Sequence, residues 1–161
     1  VWNASASARL GLYWVTHRVP AVGDFVLAAP PPDARRLAAA RAYLPATVDL
    51  VKRIAAISGS TICAVGRRVL IDGNPVAERL AHDGFGRPLP AWTGCRTLAA
   101  DEVFLLMANV PDSFDGRYFG PTPRSAIVGT LVPLWTFWPV RSAVGGSGEV
   151  SVRSLHNELR P

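Results

Sequence analysis

The sequence predicts a mainly β domain with one or two small peripheral helices. Short runs rich in valine, isoleucine and leucine recur along the chain, clusters of Gly, Pro, Asn and Asp separate them, and helical periodicity is scarce. The expected strands are residues 12–15, 24–28, 50–57, 68–72, 102–107 and 127–134. Asp72-Gly73-Asn74 is a hairpin turn signal between Val69-Leu70-Ile71 and Val76-Ala77. One helix is expected over residues 34–44, with Asp33 as its cap and Pro45 as its stop. The Pro30-Pro31-Pro32 run before it reads as a stiff loop. Gly145-Gly146-Ser147-Gly148 opens a polar tail composed like a disordered linker, so residues 1–143 are expected to form the working domain and 144–161 a tail.

At 161 residues, nearly half of them apolar, the chain is long enough for one domain with a real core. Its net charge of +5 comes from arginines placed singly or in pairs. No basic run and no aromatic-interleaved basic stretch is present, which argues against nucleic-acid binding. Attraction to an anionic membrane surface fits the charge equally well. His17, His82 and His156 have no ligand spacing, and Cys63 and Cys95 have no neighbouring histidines, so no metal and no cofactor is expected. The two cysteines form a disulfide in an oxidising compartment or stay as buried thiols otherwise. No stretch is long enough to span a bilayer; the most apolar one, residues 127–140, is broken by prolines and a glycine.

The chain has one lysine against sixteen arginines. Lys52 stands in the apolar run Leu50-Val51-Lys52-Arg53-Ile54-Ala55-Ala56-Ile57. Arginine supplies positive charge but stays protonated in proteins, whereas lysine loses its proton when desolvated. In a strand, Leu50, Lys52 and Ile54 share one face, and burial of that face lowers the lysine pKa. A neutral amine can take a proton from a serine hydroxyl, which is the Ser-Lys form of nucleophile and base. The N-terminal segment Asn3-Ala4-Ser5-Ala6-Ser7-Ala8-Arg9-Leu10-Gly11-Leu12-Tyr13 offers two such serines. In extended backbone Ser5 and Ser7 point the same way, so that one can attack while the other donates to a developing oxyanion. A third segment, Ser113-Phe114-Asp115-Gly116-Arg117-Tyr118-Phe119-Gly120-Pro121, supplies a hydroxyl and a carboxylate able to hold or orient an amine.

Together these three segments resemble the type I signal peptidase family, and more closely its conjugative-transfer, TraF-type branch. The first is similar to an Asn-x-Ser/Thr-x-Ser-x-Pro-x-Gly-Leu-Tyr box, with Ser7 as nucleophile and Ser5 as oxyanion-hole hydroxyl. The second, Leu50-Val51-Lys52-Arg53-Ile54 with Ser58-Gly59-Ser60, resembles the Val-Lys-Arg-Val/Ile box and makes Lys52 the general base. The third resembles a Ser-x-Asp-Ser-Arg-x-Phe-Gly box, in which Ser113 bonds the lysine amine and Asp115 supports the site through Arg117 or a nearby hydroxyl. The likeness runs from about residue 3 to 138 in the expected order. This chain departs from the pattern at Arg9, where a proline stiffens the turn after the nucleophile, and at Gly116, where a serine adds a hydroxyl.

The resemblance implies a signal-peptidase-like β-sheet or partial barrel. It further implies a membrane-associated serine endopeptidase that processes a pilin precursor or another exported protein for conjugative transfer, with or without cyclisation of the product. Two other readings are a general signal peptidase removing leader peptides and a non-catalytic β-rich module of a secretion or conjugation apparatus. A protein or peptide substrate is implied. So is an inner-membrane anchor before Val1, consistent with Met107 being the only methionine, and with it a location on the periplasmic face. That oxidising compartment favours a Cys63–Cys95 disulfide. Trp135, Phe137 and Trp138 are candidates either for the bilayer interface or for core or edge-strand packing.

Overall fold

A computed structural model describes residues 1–3 and 8–137. Its strands are β1 (Trp2–Asn3), β2 (Leu10–Thr16), β3 (Phe25–Ala28), β4 (Leu50–Ile57), β5 (Thr61–Val65), β6 (Arg68–Ile71), β7 (Asn74–Glu78), β8 (Gly94–Thr97), β9 (Glu102–Leu105), β10 (Thr122–Pro123) and β11 (Ile127–Phe137). Helix α1 (Pro32–Ala40) lies between β3 and β4, and the short α2 (Gly116–Phe119) between β9 and β10; a 3-10 turn (Arg124–Ala126) leads into β11. The chain is mainly β, as expected, and its main sheet curls into a half-barrel.

The larger sheet has the order β1-β2-β11-β3-β4-β9-β10, and a smaller one the order β7-β6-β5-β8. All pairings are antiparallel, which lets one face meet the core and the other face water or a partner. β4 is an interior strand between β3 and β9. Its first residues, Leu50, Val51 and Lys52, are all buried, so both of its faces are covered there. The core of the larger sheet lies around Val26, Ile54, Val103 and Leu105 on one side and around Tyr13, Val51, Met107 and Leu131 on the other. The smaller sheet closes over Ile62, Val69, Leu98 and Phe104.

The predicted hairpin is present. Ile71 faces Asn74, and Asp72 and Gly73 both take positive φ, the conformation a two-residue turn between twisted strands requires. Cys63 and Cys95 face each other on β5 and β8 and are joined by a disulfide. β8 itself is exposed at every position, so the bridge fastens a strand that has no apolar face of its own.

The helix differs from expectation. It starts at Pro32, inside the proline run, where the missing N–H costs nothing. Asp33 is not the cap but sits in the first turn, paired with Arg36. The helix stops at Ala40, short of Pro45, because the next side chains are engaged elsewhere. Arg41 donates to the Pro88 carbonyl at 2.8 Å, and the Tyr43 hydroxyl donates to Asp83. The expected tail, residues 144–161, lies outside the described residues.

The outer face of β1, β2 and β11 is apolar and exposed. Trp2 and Trp135 both face Leu12, and Val132 faces Trp14. Trp14 is 63% and Trp135 65% exposed, and the rings of Trp2, Trp135 and Phe137 lie within 6.5 Å of one another. Trp135 and Phe137 are therefore not core residues; they stand on the stretch of β11 that pairs with β2, beyond Leu131, where the described pairing with β3 ends. Trp138 lies outside the described residues.

Gly11 makes the β2–β11 contact possible. Its φ is +135°, and a Cβ there would stand 2.1 Å from the Trp135 carbonyl oxygen. We expect Gly11→Ala to lower stability by roughly 2 kcal/mol or more through combined backbone strain and overpacking. Urea denaturation of the two proteins measures it.

Candidate active site

The three sequence segments have unequal places in the structure. Lys52, Ser113 and Asp115 are brought together; Ser5 and Ser7 lie outside the described residues. The Lys52 side chain is carried by the interior strand β4, opposite Val26 of β3, and the residue is 3% exposed. Its Nζ donates to the Ser113 Oγ at 2.8 Å. Ser113 is itself buried, on the turn after β9, where its N–H donates to the Val110 carbonyl.

Burial pushes the Lys52 pKa down from 10.5 to about 8. Asp115 draws it back up, Arg117 lowers it again, and Asp112 raises it, each through space. The amine is thus half neutral near pH 8, whereas a solvated lysine holds its proton to beyond pH 10.

Asp115 and Arg117 form a buried ion pair, Nε to Oδ1 at 2.8 Å. Asp115 also accepts from the Met107 N–H at 3.0 Å and the Arg117 N–H at 3.2 Å. Arg117 uses its whole donor set. Nε and one Nη2 hydrogen go to Asp115, the other Nη2 hydrogen to the Met107 carbonyl at 2.8 Å, and Nη1 to the carbonyls of Pro111 at 3.0 Å and Glu78 at 3.2 Å. The guanidinium therefore ties the turn that carries Ser113 to the end of β7 in the smaller sheet. A buried pair satisfied this fully holds its geometry; losing either partner strands a charge away from water.

Gly116 follows from packing. A Cβ there would stand 2.7 Å from the Leu105 carbonyl oxygen and 2.8 Å from the Phe104 ring, and the Gly116 carbonyl accepts from the Trp92 indole at 3.0 Å. The serine of the family pattern has no room beside Asp115 in this chain. Sequence reading also missed Tyr43, Phe114 and Tyr118. The Phe114 ring stacks on Tyr118 and meets Tyr43, which braces the residue next to Ser113. Only the aromatic content of residues 114–119 hinted at it. Among the described residues no group of three or more His, Cys, Asp or Glu side chains is placed to hold a metal ion.

One described observation relates the N-terminal segment to the lysine strand. Ala8, wholly buried, belongs to the same apolar cluster as Tyr13, Val51, Met107 and Leu131. The residue after Ser7 thus shares a core with the residue before Lys52.

The family model described as "Signal peptidase, peptidase S26" matches residues 1–136. The chain belongs to this family. Among its relatives in the peptidase S26 family, the chain is 37% identical over 148 residues to a "Probable conjugal transfer protein TraF" of Sinorhizobium fredii (strain NBRC 101917 / NGR234), covering 85% of this chain and 77% of that protein. It is 35% identical over 146 residues to a "Plasmid transfer protein TraF" of Escherichia coli, covering 84% and 82%. A crystal structure of a signal peptidase I from Enterococcus faecalis V583 is similar at 18% identity and a TM-score of 0.43, over 73% of this chain and 100% of that one.

Two outcomes are expected. The unfolded chain keeps the Lys52 proton up to about pH 10.5 and the folded one only to about 8, so the folded state carries a charge-burial cost below pH 8 that fades as pH rises through that window. Lys52→Met should therefore be more stable than the parent at pH 7, by roughly 3 kcal/mol at most, and the gap should narrow toward pH 10.5 in denaturant titrations. Gly116→Ser should destabilise by about 1–3 kcal/mol, read as a lower melting temperature, even though it restores the family's residue.

Proposed function

We propose that this protein is a Ser-Lys endopeptidase that cleaves a pilin precursor or another exported protein in conjugal transfer. The observation that carries the reading is the desolvated Lys52 amine bonded to Ser113 inside a peptidase S26 chain. The relatives named for conjugal and plasmid transfer support the biological setting.

Neutral Lys52 takes the hydroxyl proton of Ser7 as Ser7 Oγ attacks the scissile carbonyl carbon. The Ser7 N–H and the Ser5 hydroxyl stabilise the oxyanion. The Lys52 ammonium then gives its proton to the departing amine, and an ester to Ser7 remains. Water attacks that ester, with Lys52 again accepting the proton, and releases a linear acid. If the substrate's own amine reaches the ester first, the product is a ring. Ser113 holds the amine in place, and Asp115 acts through Arg117 on the turn that carries Ser113.

The exposed aromatic face of β1, β2 and β11 supports a location at a membrane surface. Tryptophan favours the bilayer–water boundary, and a monomer rarely leaves so contiguous an apolar face in water. The Cys63–Cys95 disulfide supports the periplasmic side. An N-terminal anchor of the kind the family pattern implies would bring the site to that surface.

Incubation with a pilin precursor and with an ordinary exported preprotein, followed by mass spectrometry, tests the substrate. Linear and cyclic products differ by one water. Ser7→Ala and Lys52→Ala should abolish cleavage while the fold persists, and Lys52→Arg should be equally inactive because its guanidinium keeps its proton. The value of kcat/KM should rise with pH and level off above about 8 as Lys52 loses its proton. Robust cleavage by Lys52→Arg would remove the general base from the mechanism.

A further inference from the structure

Two buried side chains converge on one backbone oxygen near the N-terminus. Asn3 Nδ2 donates to the Arg9 carbonyl at 2.9 Å, and the Tyr13 hydroxyl donates to the same carbonyl at 2.9 Å. Asn3 is 4% and Tyr13 3% exposed. A carbonyl oxygen has two lone pairs, and here both are occupied, which fixes the peptide plane after Arg9 from two directions.

The clamp has its own supports. Asn3 lies opposite Gly11 in the β1–β2 pairing, and the missing side chain at Gly11 lets β2 lie close against β11. The Val1 nitrogen donates to the Tyr13 carbonyl at 2.8 Å, and the Tyr13 N–H returns a bond to the Val1 carbonyl at 2.9 Å. The Tyr13 ring is seated in the cluster that holds Ala8 and Val51. The chain on either side of residues 4–7 is therefore tied down at Asn3 and at Ala8-Arg9.

Arg9 is the position at which the family pattern carries proline. Proline restricts the chain covalently, by locking φ; arginine leaves that torsion free. We infer that Asn3 and Tyr13, which the family box carries alongside the proline, are positioning residues of the active site: their joint hold on the Arg9 carbonyl sets the path of the backbone two residues after Ser7, and in this chain it does so without the proline's covalent restriction. The inference rests on the Ser-Lys reading of Ser7. Burial raises the Tyr13 pKa above its ordinary 10, so the phenol remains a donor through the alkaline range in which Lys52 becomes neutral.

The test uses the full chain with Tyr13→Phe, which keeps the ring, and Asn3→Asp, which keeps the shape but accepts where asparagine donates. Each is made alone and with Arg9→Pro. The readouts are kcat and KM on a cleavable peptide, the rate at which a serine-directed acylating probe labels Ser7, and the melting temperature. Each single variant should lose on the order of 10-fold in kcat and in labelling rate with KM little changed, the scale of one lost hydrogen bond felt in the transition state. Arg9→Pro should restore most of that loss. A folded Tyr13→Phe that labels at the parent rate overturns the inference, as does a loss that Arg9→Pro leaves untouched or one that tracks melting temperature alone. A parent protein that the probe never labels at Ser7 overturns the Ser-Lys reading itself, and the positioning role falls with it.

Discussion

An amine withheld from water gives up its proton near pH 8, and the position of β4 is what withholds it here. The strand is flanked by β3 and β9, its first residues are covered on both faces, and the buried Lys52 amine donates to the Ser113 hydroxyl. The nearby carboxylate of Asp115 would by itself hold the proton on the lysine. Arg117 cancels part of that pull by standing against Asp115. The ion pair thus fastens the turn and also keeps a buried negative charge from dominating the amine, which leaves desolvation as the stronger effect.

The β class, the strand that bears Lys52 and the hairpin at Asp72-Gly73 were legible because each is written in local pattern: apolar runs, one unusual cation, one turn dipeptide. The grouping of Lys52 with Ser113 and Asp115 was legible only through resemblance, since sixty-one residues separate the bonded pair. β8 was not legible, because Gly94–Thr97 has no apolar alternation and its place depends on pairing with β5 and on the disulfide. The early end of α1 was hidden for a related reason. Arg41 and Tyr43 are tolerable in a helix, and only their partners at Pro88 and Asp83 draw them out of it.

The two departures from the family pattern have different physical meanings. At Gly116 the backbone of Leu105 and the ring of Phe104 occupy the space a side chain needs, so the glycine answers to its neighbours. At Arg9 the surroundings grip the carbonyl, through Asn3 and Tyr13.

The reach of Arg117 to the Glu78 carbonyl has a mechanical consequence. The four-stranded sheet cannot tilt away from the half-barrel as a separate lobe without uncoupling a buried cation from one of its acceptors. The two sheets are therefore braced into one frame around the lysine.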